Sequence, residues 1–366
     1  MKTSMVKKIA VVATAGVSAL MLGACAHKGS NTNNPKNNKL SVALITNGSG
    51  VDDGSFNEMA WNGLKKYGKE YKLSKGIGGY NYFEAANASD YEPAMEQATN
   101  ANYNTIMAAG FQYAEAIEKT AKKYPKKKFV IIDSQSKGKN VASVMFKSQE
   151  ASFLAGVAAV KTSKTGKIGW IGASNSAILS EFEAGFVQGA KWEAKKLDKN
   201  ILIERTYIGS FTDTAKEKSV AHAMYGRGID VISQASGGAS KGLFSEANDI
   251  NAQKTSTQLK KSKVWAMGAD SDQHALGNFK TKDGKKDNSV LTSIMTRVDN
   301  VSYMLAKKAA QGKFPGGQYL KYGLKDNAVS LTRDQISSSV WKEVNVAKKQ
   351  ILDGKIKVAS SVDQLK

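Results

Sequence analysis

The sequence predicts an α/β protein built on parallel β-sheets. From Leu40 onward, short runs rich in Val and Ile alternate with amphipathic stretches of helical length. That alternation is typical of repeated strand–helix–strand units. Clusters of Gly, Asn, Asp and Ser follow several of the apolar runs, where parallel sheets bind their ligands. The 366-residue chain is long enough for two domains.

The elements are predicted in chain order from these patterns. The apolar runs predict strands, because short β-branched runs between turn residues are typical of buried strands. They cover residues 41–46, 105–109, 128–133, 142–146, 167–172, 201–207, 230–234 and 264–267. The amphipathic stretches between them predict helices over residues 56–67, 91–100, 113–123, 150–160, 181–196, 214–225, 240–248 and 300–310.

The N-terminus has the layout of a secretory signal. A basic stretch precedes an apolar run over residues 9–22, and the small residues Gly23 and Ala24 follow it. The run has 14 residues, fewer than the roughly 20 that a membrane-spanning helix needs. We therefore expect residues 1–24 to be a signal peptide that is removed.

Cys25 is the only cysteine in the chain. Its place after the small residues resembles the lipobox of bacterial lipoproteins, whose N-terminal cysteine carries a diacylglyceryl anchor. Two acyl chains can hold a protein stably at a membrane. Residues 25–38 are polar and lack hydrophobic periodicity, so they predict a lipidated tether. The alternative is an ordinary cleaved signal with a stray cysteine.

The residues that usually carry catalysis do not form a recognisable set. His27 falls in the tether, His222 in a predicted helix and His274 after a loop. No nucleophile elbow, metal-binding helix motif or phosphate-binding loop is present in the sequence. Residues 270–272 (Asp-Ser-Asp) lack a third spaced metal ligand. We expect neither an enzyme, nor a cofactor, nor a metal.

The chain is strongly basic, with 53 Lys and Arg against 32 acidic residues and a net charge of +21. The lysines are scattered through helices and turns, which favours a solvated surface over a nucleic-acid site. For an exported protein, the anionic cell envelope is the more natural electrostatic partner.

Two phenylalanines stand in equivalent positions. Residues 51–58 follow a strand and open a helix, which Asp53 or Ser55 can cap. Phe56 then lies in the first turn, and Phe211 likewise falls between a strand and a helix. Each ring alone is more typical of a core residue, but the repeated context favours an aromatic clamp for a planar ligand.

Ordered motifs between about residues 40 and 330 resemble the basic membrane protein family of bacterial nucleoside-binding lipoproteins, the substrate-binding subunits of ABC importers. The matching segments are 52–57 (DDGSFN), 110–111 (GF), 128–133 (KFVIID), 153–159 (FLAGVAA), 182–186 (FEAGF), 268–273 (GADSDQ) and 291–293 (LTS).

The resemblance implies a type I periplasmic-binding-protein-like fold, with two doubly wound parallel-sheet lobes joined by a hinge. On this basis we expect the first lobe to comprise residues 39–147 and about 272–320. The second would comprise residues 148–271 and about 321–366. The resemblance also implies a monomer on the outer face of the cell membrane that hands a nucleoside to an ABC permease.

The resemblance also assigns roles in the cleft. Phe56 and Phe211 would stack on either side of the base, with Phe182 as the next candidate for the second wall. Asn57 would hydrogen-bond near the base, and Asp270 would accept from the ribose hydroxyls. The other expected ligand-binding positions are Asp53, Asp133, Gly237 and Gly238.

Two positions depart from the family pattern. Asn47 stands where many members have an aspartate, and Thr296 stands where they have a lysine. Asparagine donates as well as accepts, so we expect a broader ligand range or a shift toward carbonyl-rich edges, as in uridine or inosine. The alternative is that both positions lie outside the layer that touches the ligand.

Two other functions remain open from the sequence. The same fold could bind a sugar or another small ligand, and the basic surface could serve an adhesin that has no importer. A small-molecule ligand would distinguish a receptor from an adhesin.

Overall fold

The computed structural model describes residues 39–365. The predicted signal peptide and tether, including Cys25, lie outside the described residues. The described strands are β1 (Val42–Thr46), β2 (Tyr80–Glu84), β3 (Thr105–Ala109), β4 (Lys128–Ile132), β5 (Val141–Phe146), β6 (Lys167–Gly172), β7 (Leu202–Tyr207), β8 (Val231–Ala235), β9 (Trp265–Asp270), β10 (Asn278–Lys280), β11 (Lys286–Asn288), β12 (Val290–Thr296), β13 (Tyr319–Tyr322) and β14 (Val329–Leu331).

Helices alternate with most of these strands. They are α1 (Phe56–Glu70), α2 (Ala88–Asn100), α3 (Ala114–Lys123), α4 (Ser148–Thr162), α5 (Ala177–Lys196), α6 (Thr214–Gly226), α7 (Lys241–Ala252), α8 (Ser256–Ser262), α9 (Val298–Ala310) and α10 (Ser338–Leu352). None of these helices combines the length and apolar character that a membrane span needs.

The strands form two six-stranded sheets, one in each lobe. The first has the order β13-β5-β4-β3-β1-β2, and the second has the order β14-β12-β9-β8-β6-β7. All pairings are parallel except that of β12 with β14. A separate antiparallel hairpin pairs β10 with β11. The predicted α/β class with parallel sheets is confirmed.

Burial explains why the central strands could be predicted from the sequence. Every residue of β1, β3 and β8 is buried, because helices cover both faces of each sheet. Such strands read as continuous apolar runs. β2 is an edge strand of aromatic and polar residues with intermediate exposure, and it gives no comparable signal.

The chain crosses between the sheets after β5, after β12 and after β13. The division predicted from the sequence assigns about residues 272–320 to the first lobe, and the strand pairing of β12 differs from that assignment. β12 pairs with β9 and with β14 in the second sheet, so residues 290–296 belong to the second lobe. The chain returns to the first lobe only at α9, which packs on α1.

Helices α4 and α5 pack backbone to backbone in the second lobe. A Cβ atom at Gly156 would collide with the carbonyl oxygen of Phe186, and one at Gly189 would collide with that of Phe153. The Ser152 hydroxyl also donates to the Phe182 carbonyl at 2.6 Å. This close approach fixes the start of α5, which faces the cleft.

We expect Gly189→Ala to lower the free energy of unfolding by about 1–3 kcal/mol, because the methyl group overpacks the contact between α4 and α5. Urea unfolding of the purified protein measures this change. Gly226→Ala, in α6 with open space around it, is the control. It should leave the stability unchanged or raise it by up to about 1 kcal/mol. Equal effects of the two substitutions would contradict the close helix contact.

Candidate functional site

A cleft lies between the carboxyl ends of the strands of the two sheets. Its empty volume is about 600 Å³, counting the part open to solvent. It is lined by Asn47, Ser49, Asp53, Phe56, Ala109, Gly110, Phe111, Gln112, Asp133, Ile178, Leu179, Phe182, Phe211, Ala235, Gly237, Gly238 and Asp270.

All of the expected ligand-binding residues line this cleft except Asn57 and Thr296. Both exceptions are buried directly behind the lining. Asn57 donates a hydrogen bond to Asn47 at 2.8 Å, and the Thr296 hydroxyl lies near enough to Asp270 to lower the pKa of that carboxyl. They therefore act on the cleft through their neighbours.

The start of α1 is organised by Asp53. Its carboxylate accepts hydrogen bonds from the backbone N–H groups of Ser55 at 2.8 Å, Asn57 at 3.1 Å and Glu58 at 3.0 Å. A carboxylate at a helix N-terminus satisfies donors that have no partner within the helix. Burial raises the pKa of Asp53, and these three N–H groups lower it. Its main contribution is to hold the turn that presents Phe56.

Aromatic rings line the cleft from both lobes. Phe56 and Phe111 belong to the first lobe, while Phe182 and Phe211 belong to the second. The Phe111 and Phe211 ring centroids lie 6.4 Å apart with a 58° angle between the planes. Sequence analysis missed Phe111 as a lining residue; the motif it shares with Gly110 was the only signal.

The glycine pair after β8, Gly237 and Gly238, allows Phe211 and the first lobe to lie close to the backbone at this point. Gly237 has a φ of +60°, and a Cβ atom there would lie 3.2 Å from Cδ1 of Phe211. A Cβ atom at Gly238 would lie 3.2 Å from the Ser49 hydroxyl of the first lobe. Ser49 was also missed, because its proximity to Gly238 arises only when the lobes meet.

The amide of Asn47 has a defined orientation. Its Oδ1 accepts from the backbone N–H of Ser49 at 3.0 Å and from Nδ2 of Asn57 at 2.8 Å. A backbone N–H can only donate, so the oxygen assignment follows from the network. The Nδ2 group of Asn47 donates to no residue within 39–365. It is therefore the part of Asn47 available to a ligand.

Two carboxylates enter the cleft from opposite lobes. Asp133 directly follows β4, and Asp270 ends β9; their φ angles are +63° and +68°. Burial, with the repulsion of Asp270 and Glu181, holds the pKa of Asp133 well above its usual range. Burial raises the pKa of Asp270 to about 6, although a hydrogen bond from Ser55 opposes the shift. Asp and Asn tolerate this left-handed backbone better than other side chains.

The first turn of α1 is hydrogen-bonded to the second lobe. The Ser55 hydroxyl donates to Asp270 at 3.0 Å. The Gly54 carbonyl accepts from the Ser271 hydroxyl at 2.6 Å and from Nε2 of Gln273 at 3.0 Å. The lobes are therefore in contact across the cleft.

Within residues 39–365, no group of three or more histidine, cysteine or acidic side chains is arranged to hold a metal ion.

The fold, with its cleft between two largely parallel sheets, is shared with proteins of solved structure. A solved solute-binding protein of an ABC transporter from Aeropyrum pernix K1 superposes with a TM-score of 0.75, covering 88% of this chain and 94% of that one at 23% identity. That superposition supports the assignment of the fold.

The family follows from the sequence comparisons. The family described as ABC transporter substrate-binding protein PnrA-like (Bmp) matches residues 39–361. The ABC transporter nucleoside-binding protein BmpA of Lactococcus lactis subsp. cremoris is 43% identical over 354 residues, or 96% of this chain and 98% of the relative. Basic membrane protein A of Borreliella burgdorferi is 30% identical over 327 residues, or 87% and 88%. The chain belongs to the Bmp family, as its motifs predicted.

Proposed function

We propose that this ABC transporter substrate-binding protein captures nucleosides between its two lobes and delivers them to an importer. The observation that carries the proposal is that Phe56 of the first lobe and Phe211 of the second line one cleft, which also contains Asp270. The nucleoside-binding relative from Lactococcus, which matches nearly the whole chain, supports the same ligand class.

The base would lie between the two phenyl rings. Phe56 is held by the turn that Asp53 organises. The backbone of Phe211 accepts a hydrogen bond from the Ala239 N–H at 2.9 Å. Rings on supported loops lose little freedom when a ligand enters, and the apolar faces of a base suit them.

The ribose would lie at Asp270. Oδ2 of Asp270 already accepts from Ser55, and the remaining acceptor positions of the carboxylate suit the two hydroxyls of a ribose. Hydrogen bonds to an ionised carboxylate are stronger than those between neutral groups. The sugar hydroxyls would thus bind the second lobe while the base contacts both.

Asn47 would donate to an acceptor on the base, because its oxygen is already used by Ser49 and Asn57. A carbonyl of uridine or inosine fits that donor, whereas an exocyclic amino group does not. Thr296 lies behind Asp270 and supplies a neutral hydroxyl where many family members have the positive charge of a lysine.

The anchoring at the outer face of the cell membrane is also part of the proposal. The lipobox-like string before Cys25 supports it, as does the ABC transporter family to which residues 39–361 belong. The permease would be a membrane partner, and the receptor would act as a monomer.

Removing the phenyl ring of Phe56 or of Phe211 should weaken nucleoside binding. We expect Phe56→Ala and Phe211→Ala each to raise the Kd for inosine or uridine about tenfold or more, because stacking on an aromatic ring contributes roughly 1–3 kcal/mol per base. Isothermal titration calorimetry measures the change, and Phe279→Ala in the β10 strand, outside the cleft, is the matched control. Binding of pentoses but of no nucleoside would favour the sugar receptor instead.

Restoring the family's residues should change the ranking of ligands. In the double variant Asn47→Asp, Thr296→Lys, an acceptor-only group replaces the amide. We expect inosine and uridine to lose affinity relative to adenosine by about tenfold, a difference of one hydrogen bond. Competition among adenosine, guanosine, inosine and uridine provides the measurement. An unchanged ranking would contradict a contact between Asn47 and the base.

The anchor is tested at Cys25, whose thiol is the only one in the chain. We expect Cys25→Ser to prevent attachment of the diacylglyceryl group, which leaves the protein uncleaved or released to the medium. Phase partitioning in detergent, with the native chain as control, measures this. Unaltered partitioning of the variant into the detergent phase would show that the anchor lies elsewhere.

A further inference from the structure

The amino ends of the strands in the first sheet carry positive charge only. The segments that lead into these strands are residues 39–41, 71–79, 101–104, 124–127, 139–140 and 311–318. They contain no aspartate or glutamate. They contain seven lysines, which we call the lysine edge: Lys39, Lys72, Lys75, Lys126, Lys127, Lys139 and Lys313. We propose that the lysine edge binds the anionic lipid surface of the membrane. This inference rests on the proposed function for the membrane anchor.

Hydrogen bonds hold these segments side by side. The Asn104 N–H donates to the Ser41 carbonyl at 3.2 Å, and the Asn104 carbonyl accepts from the Lys128 N–H at 3.0 Å. Nδ2 of Asn104 also donates to the Lys39 carbonyl at 3.0 Å. Neighbouring strands of a sheet lie about 4.8 Å apart. The lysines that precede the strands therefore form one continuous surface along the edge of the sheet.

The charges of this surface are not compensated by the protein. Within residues 39–365, no acidic side chain forms an ion pair with a lysine of the lysine edge. On the flanking helices, Glu70 pairs with Lys307 at 2.9 Å, and Glu96 pairs with Lys123. A surface with one sign of charge attracts a partner of the opposite sign. An array of lipid phosphates is such a partner.

The corresponding edge of the second sheet has no such excess. The segments that lead into β6, β7, β8 and β9 contain four cations and two acids: Lys164, Lys199, Arg227, Lys263, Asp198 and Asp230. Lys263 also pairs with Asp287 at 2.7 Å, and Nε of Arg227 donates to Glu204 at 3.1 Å. The high net charge of the chain is thus spread unevenly, and the lysine edge is a specific feature of the first lobe.

The loop before β2 adds an apolar side chain to the lysine edge. Ile77 is 70% exposed. It stands between Gly76 and Gly78, whose φ angles are +123° and +82° and which have open space around them. The Lys75 ammonium lies 4.8 Å from the centroid of the Tyr82 ring, which orders the base of the loop. An exposed apolar residue beside lysines suits a lipid interface, where it enters the headgroup layer while the ammonium groups contact phosphates.

The place where the chain enters the fold favours a membrane over another anionic partner. Lys39 is the first described residue, and residues 25–38 alone separate it from Cys25. A flexible segment of that length spans about 20 Å on average, so a lipid on Cys25 would keep the lysine edge close to the headgroups. The ligand cleft lies at the carboxyl ends of the same strands. Binding at the lysine edge would therefore leave the cleft accessible.

The experiment uses the chain from residue 26 onward, which keeps every described strand and helix but lacks the lipid. Flotation with phosphatidylcholine vesicles, with and without about 30% phosphatidylglycerol, measures the partition coefficient. We expect binding to the anionic vesicles at about 50 mM salt and its loss at about 500 mM. The triple variant Lys72→Gln, Lys126→Gln, Lys139→Gln should bind at least about tenfold less, because each lysine near an anionic surface contributes roughly fivefold.

A matched triple variant on the second lobe is the control. Lys199→Gln, Lys260→Gln, Lys261→Gln removes the same charge from exposed positions near the amino ends of β7 and β9. It should change the partition coefficient by less than about threefold, because these residues lie outside the contact. Equal losses in the two triple variants would show attraction by net charge alone and would overturn the inference.

A fluorescent label reports which edge meets the lipid. The chain from residue 26 onward has no cysteine, so Ile77→Cys carries a single label. A polarity-sensitive dye there should shift to shorter wavelength with anionic vesicles. Leu202→Cys is the control, because Leu202 is 50% exposed at the start of β7 in the second lobe and its label should not shift. A shift at both positions, or at neither, would contradict the proposed orientation.

Three further outcomes decide the inference. Equal binding to vesicles with and without phosphatidylglycerol would overturn it, and so would stronger binding to soluble polyphosphate than to the vesicles. Calorimetry with inosine and uridine on the same variants separates this inference from the nucleoside site, because the lysine variants should keep the native Kd. If no nucleoside binds, or if Cys25→Ser shows that the anchor lies elsewhere, the proposed function fails, and salt-sensitive vesicle binding through the lysine edge still supports the inference.

Discussion

The site depends on the turn that opens α1, because this turn belongs to one lobe and is hydrogen-bonded to the other. Asp53 holds its backbone through three N–H groups. The same turn then offers the Gly54 carbonyl to Ser271 and Gln273, and the Ser55 hydroxyl to Asp270. Phe56 follows at once and faces the cleft. One short segment thus positions a ring and closes the lobes.

The second lobe supplies the other half of the cleft through rigid packing. Glycines allow α4 and α5 to touch, which places Phe182 at the cleft wall. Glycines after β8 likewise allow Phe211 to lie against Gly237. The approach of backbone to side chain at these points leaves little room for adjustment, so the ring positions are set before any ligand arrives. Such preorganisation lowers the entropy lost on binding.

Much of the architecture could be predicted because the central strands are buried on both faces and therefore read as Val- and Ile-rich runs. The edge strand β2 and the short strands β10, β11, β13 and β14 lack that signal, so they were missed. β12 was missed although six of its seven residues are buried, because Thr292, Ser293 and Thr296 interrupt its apolar run. Its pairing with β9 places it in the second sheet.

Many of the residues that line the cleft could also be predicted from the sequence. Asp133 and Asp270 at strand ends, and Phe56 at the start of the helix after β1, follow from the rule that parallel sheets bind ligands at this edge. Ser49 and Phe111 also follow strands, β1 and β3, but the rule does not say which residue after a strand faces the cleft. Their places are defined by contacts between lobes that are distant in sequence. Asn57 and Thr296 lie one layer behind the lining, a distinction that only side-chain packing reveals.

The central claim is that the cleft between the lobes binds a nucleoside with its base between Phe56 and Phe211. The most direct measurement is a crystal structure of the protein grown with the nucleoside that binds most tightly. Our account predicts density for the base between the two rings, with both ribose hydroxyls within hydrogen-bond distance of Asp270. A nucleoside bound outside the cleft, or a base that contacts neither ring, would contradict it.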